Sequence, residues 1–364
     1  MKQEMQPWQF DLEQYIREGE AGKAEKTYTW KTAIGLQDVD GLKTSGYLLQ
    51  TAKEHIEGAI DIYTVQNRIE SYYQSRKERK ETERRTEEAD KVAARIAKEL
   101  NERAFQFSPA EYMQIHKRLF SDIYDHAGMI RPYNITKQEW VLHGETVLYA
   151  SADSIRATLE YDFQTEKQFS YQGLSLQESV RHLAKFTSDL WQIHPFCEGN
   201  TRATAVFLIK YLKTFGFEIQ NDAFAEHSWY FRNALVRANY NNLKKGIHAT
   251  TEYLEHFFDN LLLDAKYELK NRYLLAGVPP EIQSADQSAK IENSKCNICT
   301  LEELAVLNMI KNNPSVTQKE LAAGIGKSER TIKSITVALQ TKGMIRRKNG
   351  KRNGKWEVVI ESFL

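Results

Sequence analysis

The sequence has few cysteines, no long apolar run and almost no excess charge. Its 364 residues include three cysteines, Cys197, Cys296 and Cys299, too few for the framework of a small disulfide-stabilised secreted protein. No apolar run approaches the roughly 20 residues that span a bilayer, and the first residues lead into no secretory signal. We therefore expect a cytoplasmic protein without a membrane partner.

The near-balance of 50 Lys+Arg against 49 Asp+Glu hides an uneven distribution. Residues 301–364 contain 12 basic and 6 acidic side chains, a local net charge of +6, so the remainder is mildly acidic. A basic segment of this kind favours binding to a polyanion. The overall length suggests two or three domains with cores of their own.

Glycine and proline are scarce before residue 275, and apolar side chains there recur at helical spacing, as in 183, 186, 190 and 193. The mixed-sign run 76–91 predicts a solvated helix that connects an N-terminal module to the main domain. The alternation in 140–149 around His143-Gly144 predicts a β-hairpin. The polar stretch 276–299 predicts a linker.

The most informative stretch is 194–202, His-Pro-Phe-Cys-Glu-Gly-Asn-Thr-Arg, hereafter the motif loop. It precedes an apolar helix, whose first N–H groups form an anion site suited to phosphate. Arg202 and Asn200 add phosphate donors, and Glu198 offers a hard oxygen for Mg²⁺. His194 can take up a proton near neutral pH. Together these residues predict a phosphoryl or nucleotidyl transfer site.

The motif loop resembles the motif of Fic (filamentation induced by cAMP) proteins, H-x-F-x-[D/E]-G-N-G-R-x-x-R. The resemblance extends upstream through 119–128 and 131–135 and covers about residues 105–270. It implies a mainly α fold, with a Fic-type helical core and a β-hairpin flap, followed by a small C-terminal winged-helix domain. It also implies transfer of AMP from ATP, with Mg²⁺, to a Ser, Thr or Tyr hydroxyl of a target protein or of the chain itself.

The resemblance further implies a role for each matching residue. His194 would be the general base, Glu198 would position Mg²⁺, and Phe196 would anchor the loop. The phosphates would be held by Gly199, Asn200, Thr201 and Arg202, and the adenine pocket would be lined by Phe231 and Asn239. The flap, residues 136–149, would dock the target by β-augmentation through Glu139, Trp140, Val141, Leu142, Thr146 and Val147.

Two positions depart from the family pattern. Thr201 replaces a glycine, a mild change if its φ is negative, and Ala205 replaces the second arginine. The missing arginine keeps alternatives open: a Fic enzyme that uses another nucleotide or removes AMP, or a nucleotide-sensing DNA-binding regulator without turnover. A homo-oligomer also stays open.

The N-terminal segment 39–45 is similar to antitoxin modules of the VbhA type, which regulate Fic proteins through a glutamate. Asp40 stands at the glutamate position, and Glu57 is a second candidate. Because Ala205 removes the usual partner of that glutamate, we expect a helical module that docks without inhibiting. The predicted domains are this module (1–85), the Fic core (86–275), the linker (276–299) and a C-terminal domain (300–364).

Residues 300–364 resemble a winged helix-turn-helix domain, with a capping box at Thr317 and Glu320 and a basic hairpin as the wing. The resemblance favours DNA over a docking protein as the partner. The predicted DNA contacts are Ser328, Arg330, Lys333, Arg346, Arg347 and Lys351. The pair Cys296-x-x-Cys299 fits half a zinc site, but two incidental linker thiols are the favoured interpretation.

Overall fold

The computed structural model describes residues 12–16, 21–75, 80–217, 222–277, 299–348 and 354–359. Within these ranges the fold is mainly α, as expected, and a two-stranded sheet lies near the C-terminal end. The longer helices and the strands are α1 (Ala21–Gly35), α2 (Gly46–Ile56), α3 (Ile62–Gln74), α4 (Glu81–Asn101), α5 (Pro109–Phe120), α6 (Ile155–Gln168), α7 (Leu176–Ile193), α8 (Asn200–Thr214), α9 (Ala223–Ala238), α10 (Glu252–Leu263), α11 (Leu301–Asn312), α12 (Gln318–Ile325), α13 (Glu329–Thr341), β1 (Ile345–Lys348) and β2 (Lys355–Val358). Short 3₁₀ turns occupy Leu36–Asp40, Trp140–Leu142, Leu243–Lys245 and Asn271–Leu274.

Helices α7 and α8 carry the motif loop between them. A capping box of Ser175 and Glu178 starts α7, and the predicted apolar face of this helix is buried. Helix α8 is buried along most of its length, so its first turn is fixed in the centre of the helical body. The motif loop therefore lies on rigid elements at both ends.

The N-terminal segment packs directly on this body. Helix α1 contacts α4 and α9, and a Cβ added to Gly35 would lie 2.5 Å from the backbone of Ala225. The hydroxyl of Ser228 also donates to the carbonyl of Gly35 (2.7 Å). This close approach brings the turn Leu36–Asp40 beside the start of α8. The domain boundaries stay predictions, and the one at residue 85 falls inside α4.

The prediction of a solvated helix over 76–91 is only partly right, and residues 76–79 lie outside the described part. The end of this run is buried, because α4 turns one face toward the core from residue 89 onward. Asp90 accepts hydrogen bonds from the Ser45 N–H (2.8 Å) and the Tyr73 hydroxyl (2.7 Å), so it ties α4 to α2 and α3.

The predicted β-hairpin of the flap is wrong. All of 136–149 is described and none of it is β-strand, although His143 and Gly144 do form the expected turn with positive φ. The Glu139 N–H donates to the Glu145 carbonyl (2.9 Å), which closes a tight reversal around a 3₁₀ turn. The Ala276 N–H donates to the Val141 carbonyl (2.8 Å), so the backbone of the turn pairs with the chain after α10 rather than with a second strand.

The C-terminal part forms the expected winged helix. Helices α11–α13 pack together, Thr317 and Glu320 form the predicted capping box, and β1 pairs antiparallel with β2. Trp356 closes this small core through its indole N–H, which donates to the Val316 carbonyl (3.1 Å). Cys299 is buried beside Met344, whereas Cys296 and most of the predicted linker lie outside the described residues.

The described helices include none that is both long and apolar enough to cross a membrane.

Candidate active site

His194 ends helix α7 in the left-handed conformation, with φ of 48°. Its Nδ1 lies 3.2 Å from the carbonyl of Trp191, which assigns the ring proton to Nδ1 because a carbonyl can only accept. Nε2 is therefore the nitrogen with a lone pair for a substrate proton. Tyr149 and Trp191 fix the plane of the ring, with centroids 4.3 and 5.1 Å from that of His194.

The imidazole of His194 is almost completely buried. Burial, followed by the positive charge of Lys137, lowers the pKa of His194 well below its usual value. The ring is therefore neutral at physiological pH, which is the state a general base needs.

Arg131 holds the backbone at His194 in place through hydrogen bonds. Its side chain is buried and donates through Nε to the His194 carbonyl (2.8 Å), through Nη1 to that of Tyr133 (2.6 Å) and through Nη2 to that of Ala150 (2.5 Å). Its own N–H donates to the Pro195 carbonyl (2.8 Å). One side chain thus joins the motif loop to the chain on both sides of the flap.

Phe196 anchors the loop in the core, as expected. Its ring is buried and stacks on His116, with centroids 3.7 Å apart. The Gly128 N–H donates to His116 Nδ1 (2.8 Å), so Nε2 carries the proton and donates to the Glu198 carbonyl (2.9 Å). A Cβ at Gly199 would lie 2.5 Å from the Phe120 ring, and φ there is 76°, so only glycine fits.

The first turn of α8 offers backbone N–H groups for an anion, since those of residues 200–202 have no carbonyl partner inside this fully described helix. The side chain of Asn200, a predicted phosphate donor, is already engaged with the backbone of the motif loop. Its amide both accepts from the Phe196 N–H (3.0 Å) and donates to the Phe196 carbonyl (2.8 Å). Thr201 lies in the helix with negative φ and accepts from the Trp191 indole (3.0 Å), so the departure from glycine is tolerated.

Arg202 is buried and already surrounded by acceptors. Its Nε lies 2.8 Å from Asp40 Oδ2, Nη2 donates to Glu88 Oε1 (2.7 Å), and Nη1 donates to Gln37 Oε1 (3.1 Å). The Tyr124 hydroxyl lies 3.2 Å from Nη2. The structure therefore shows Arg202, the arginine predicted to bind phosphate, in an ion-paired state.

Of the two regulatory candidates, Asp40 reaches the motif loop and Glu57 does not. Glu57 follows α2 and accepts a hydrogen bond from Tyr15 (2.5 Å). Asp40 pairs with Arg202 rather than with a residue at position 205, so the absence of an arginine there no longer argues against inhibition.

Glu198 is suited to hold Mg²⁺ together with phosphates. Its carboxylate is 55% exposed and forms an ion pair with Lys137 Nζ at 3.1 Å. Among the residues that the structure describes, no group of three or more His, Cys, Asp or Glu side chains could hold a metal alone. One carboxylate plus substrate phosphates is, however, an ordinary Mg²⁺ environment.

The stretch that contains the motif loop matches a known family. Residues 106–212 match the model of the Fic/DOC family. These residues form a Fic domain. A second match, over residues 303–346, is to the winged helix-turn-helix DNA-binding family. The Fic domain is therefore followed by a winged helix in the same chain.

Curated relatives of the Fic domain are distant. Over 220 residues the chain is 25% identical to protein adenylyltransferase VbhT of Bartonella schoenbuchensis, a match that covers 57% of this chain and 44% of that protein. Over 134 residues it is 28% identical to the probable protein adenylyltransferase y4lH of Sinorhizobium fredii, covering 35% and 64%. The chain thus spans about half the length of these relatives.

Two solved structures were also found to be similar. A Fic family protein from Desulfovibrio desulfuricans is 12% identical, with a TM-score of 0.43 and coverage of 98% of this chain and 97% of that one. The BepC protein of Bartonella tribocorum with bound AMPPNP is 21% identical, with a TM-score of 0.40 and coverage of 50% and 87%.

The flap of the Fic domain presents few of its predicted target-docking side chains. Four of them are buried, namely Glu139, Val141, Leu142 and Val147. Glu139 lies 2.7 Å from Arg232 Nη1 and accepts from the Tyr149 hydroxyl (3.1 Å), which explains why it points inward. Trp140 and Thr146 are exposed, and so is Leu148, which the sequence interpretation left out.

The predicted adenine contacts are wrong for Phe231 and weakened for Asn239. The Phe231 ring is fully buried against Phe224 and Phe257, with centroids 5.2 and 5.0 Å away, so it belongs to the core of the Fic domain. The Asn239 amide nitrogen donates to Ser188, at 2.9 Å to its hydroxyl, and thus ties α9 to α7.

The predicted DNA contacts divide between helix α13 and the wing. Arg330 and Lys333 are exposed on the side of α13 away from its buried residues. Ser328 caps the helix, because its hydroxyl accepts from the Thr331 N–H (3.2 Å).

In the wing, Arg346 and Lys348 both contact Glu357, and Arg347 lies over the Trp356 ring at 4.8 Å. Glu357 therefore offsets part of the basic charge of β1. Lys351 lies outside the described residues.

Sequence reasoning assigned no role to five residues of this site: Arg131, Lys137, Glu88, Gln37 and Tyr124. Arg131 and Tyr124 do lie within the stretches that carry the family resemblance. Glu88 stood at the end of the charged run, just before the Ala-rich apolar spacing that marks the buried face of α4, and that change of pattern was a usable signal. Nothing in the local sequence distinguishes Lys137 from any surface lysine.

Proposed function

We propose that this protein is a Fic-type nucleotidyltransferase that transfers AMP from ATP to a hydroxyl of a Ser, Thr or Tyr side chain. The observation that carries the proposal is the neutral, buried imidazole of His194, with Nε2 unprotonated, on the loop that leads into the N-terminus of α8. A base and an anion site on one loop are what hydroxyl attack on a phosphate requires. The names of the relatives support the same activity.

The reaction moves one proton and exchanges one P–O bond. The target hydroxyl gives its proton to His194 Nε2, and its oxygen attacks the α-phosphorus of ATP. The bond from that phosphorus to the bridging oxygen of the β-phosphate breaks, and pyrophosphate leaves. Arg131 and the ring contacts hold His194 in place, so positioning supplies much of the acceleration.

The residues around the phosphates supply charge. The N–H groups at the start of α8 point at the anion, and Arg202 adds a cation once it is released from its carboxylates. Mg²⁺, held by Glu198 and the phosphates, would neutralise charge on the nucleotide.

We further propose that Asp40 restrains the enzyme. Asp40 and Glu88 hold the Arg202 guanidinium that a phosphate would otherwise bind. The turn that contains Asp40 is fixed by the close packing of Gly35 on α9, so the restraint is built into the fold. This replaces the expectation of docking without inhibition.

The target contacts of the flap would be the exposed side chains rather than a paired strand. Trp140, 51% exposed, and Thr146 remain candidates, while the four buried residues do not. The target would be a protein hydroxyl, on another molecule or on this chain.

ATP that is labelled at one chosen phosphate tests the transfer of AMP directly. The purified protein is incubated with Mg²⁺ and ATP labelled at either the α- or the γ-phosphate, and protein-bound label is counted. We expect label from the α position only, none with His194→Ala, and full labelling with His248→Ala, a surface histidine that serves as the control. Label from the γ position would indicate a kinase instead, and no label from either position in both wild type and Asp40→Asn would favour the nucleotide-sensing regulator.

We also propose that the winged helix binds DNA, because Arg330 and Lys333 are exposed together on α13. Binding to a mixed double-stranded DNA is measured by fluorescence anisotropy at several salt concentrations. We expect Arg330→Ala and Lys333→Ala each to weaken binding and to reduce the salt slope by about 1. Lys311→Ala, on the exposed end of α11, is the matched control, and an equal effect there would contradict the proposal.

A further inference from the structure

The motif loop is short of free positive charge. A triphosphate needs several cations or N–H donors, yet Arg202 is engaged by Asp40 and Glu88. Further along α8, Lys210 is buried against Glu99 and two backbone carbonyls. Position 205, one turn after Arg202, is an alanine.

Lys137 on the flap reaches the carboxylate of the motif loop from outside the loop. Its Nζ lies 3.1 Å from Glu198 Oε2, and its side chain is 28% exposed. Its N–H donates to the Thr146 hydroxyl (3.1 Å), so the backbone at this point is held within the flap. Only the long, flexible side chain has to move for the ammonium group to leave Glu198.

The positive charge of Lys137 also acts on His194, the proposed base. Among the charges that lower the pKa of His194, that of Lys137 has the largest effect, ahead of those of Arg232 and Arg131. This order agrees with the 3.1 Å contact to Glu198, which places the ammonium group at the loop that also contains His194. The reacting phosphate must lie at this same loop if His194 is the base.

We propose that Lys137 binds a phosphate of the nucleotide at the motif loop, and that Glu198 holds its ammonium group there until the nucleotide arrives. The ligand class is a nucleoside polyphosphate. A lysine serves this role as a compact point charge that can follow the anion. The inference rests on the proposed function, since it deepens the description of the same site.

The test compares two ligands that differ only in their phosphates. Affinities for ATP and adenosine are measured by calorimetry with the full-length protein, in EDTA so that no divalent metal contributes. We expect Lys137→Met to weaken ATP binding about tenfold and to leave adenosine binding within about twofold. Lys137→Arg should recover most of the ATP affinity.

The control variant is Lys245→Met, which removes another flap-bound lysine, one that pairs with Glu145 away from the motif loop. It should leave both affinities unchanged. Unchanged ATP affinity in Lys137→Met, or an equal loss for adenosine, would overturn the inference, because the lysine would then only support the flap.

This inference and the proposed function fail in different ways. If wild-type protein transfers AMP and Lys137→Met does so with the same KM for ATP, the inference is wrong and the function stands. If ATP binding depends on Lys137 but no AMP is transferred, the inference stands and the function is wrong.

Discussion

At the start of the motif loop His194 contacts backbone groups and aromatic rings, whereas at its end Arg202 contacts two carboxylates. The contacts of His194 are made by groups that a nucleotide does not displace, among them Arg131 and Trp191. The contacts of Arg202 are ion pairs, which a phosphate can exchange for its own oxygens. The proposed base is thus preorganised, whereas the proposed phosphate donor stays ion-paired until its partners release it.

Substitutions at the two ends of the motif loop should therefore have different effects. Removing a support of His194 should lower stability and turnover. Removing a partner of Arg202 should raise nucleotide affinity instead.

The largest effect is expected for Arg131→Met. The change leaves the carbonyls of His194, Tyr133 and Ala150 without their buried donor, so the free energy of unfolding should fall by about 3 kcal/mol. Denaturant unfolding measures this. Arg181→Met is the control, because its guanidinium is 65% exposed and pairs with Glu255 only at 3.9 Å. Similar losses in both variants would mean that Arg131 does not hold the loop.

A change of pH should alter the free energy of unfolding by a smaller amount. Burial lowers the pKa of His116 to about 3 and that of His194 well below its usual value, so the folded protein keeps both rings neutral. Below pH 6.5 these two histidines bind more protons in the unfolded chain than in the folded one, so their contribution to stability falls as pH decreases, by at most about 1.4 kcal/mol per histidine per pH unit.

The comparison variant for this pH effect is His116→Gln, whose amide can replace both hydrogen bonds of the ring but does not titrate. Unfolding free energies between pH 7 and 5 should show a shallower slope for the variant. An unchanged slope would contradict the assignment of a neutral buried His116.

The smallest effects concern the flap. Val141→Ala removes buried methyl groups and should lower the free energy of unfolding by about 1 kcal/mol, whereas Trp140→Ala should change it by less than about 0.5 kcal/mol because the indole is half exposed. Thermal unfolding of both variants checks this. The reverse order would mean that the flap packs through Trp140 and leaves Val141 for the target.

Much of the chemistry in the motif loop could be predicted because it depends on neighbours in the chain. The helix start at Gly199, the phosphate-facing N–H groups and the role of Phe196 follow from nine consecutive residues. The partners of these residues could not be predicted. Arg131 lies 63 residues from His194, Lys137 lies 61 from Glu198, and Glu88 lies 114 from Arg202. Such pairs are selected by tertiary packing.

The flap is a second case in which tertiary packing could not be predicted from the local sequence. Its alternating pattern favoured two strands, but the pairing of Glu139 with Arg232 and the packing of the chain after α10 produce a compact turn instead. Local β propensity is easily overridden by such contacts.

The claim that Asp40 keeps Arg202 from binding phosphate is tested most directly by the affinity for ATP. This affinity is measured by calorimetry with Mg²⁺ for wild type, Asp40→Asn and His194→Ala. Asp40→Asn keeps the shape of the side chain and removes the charge that holds Arg202. We expect Asp40→Asn to bind ATP about tenfold more tightly than wild type, and His194→Ala to bind it within about twofold of wild type. Unchanged or weaker binding in Asp40→Asn would contradict the claim that Asp40 keeps the phosphate donor closed.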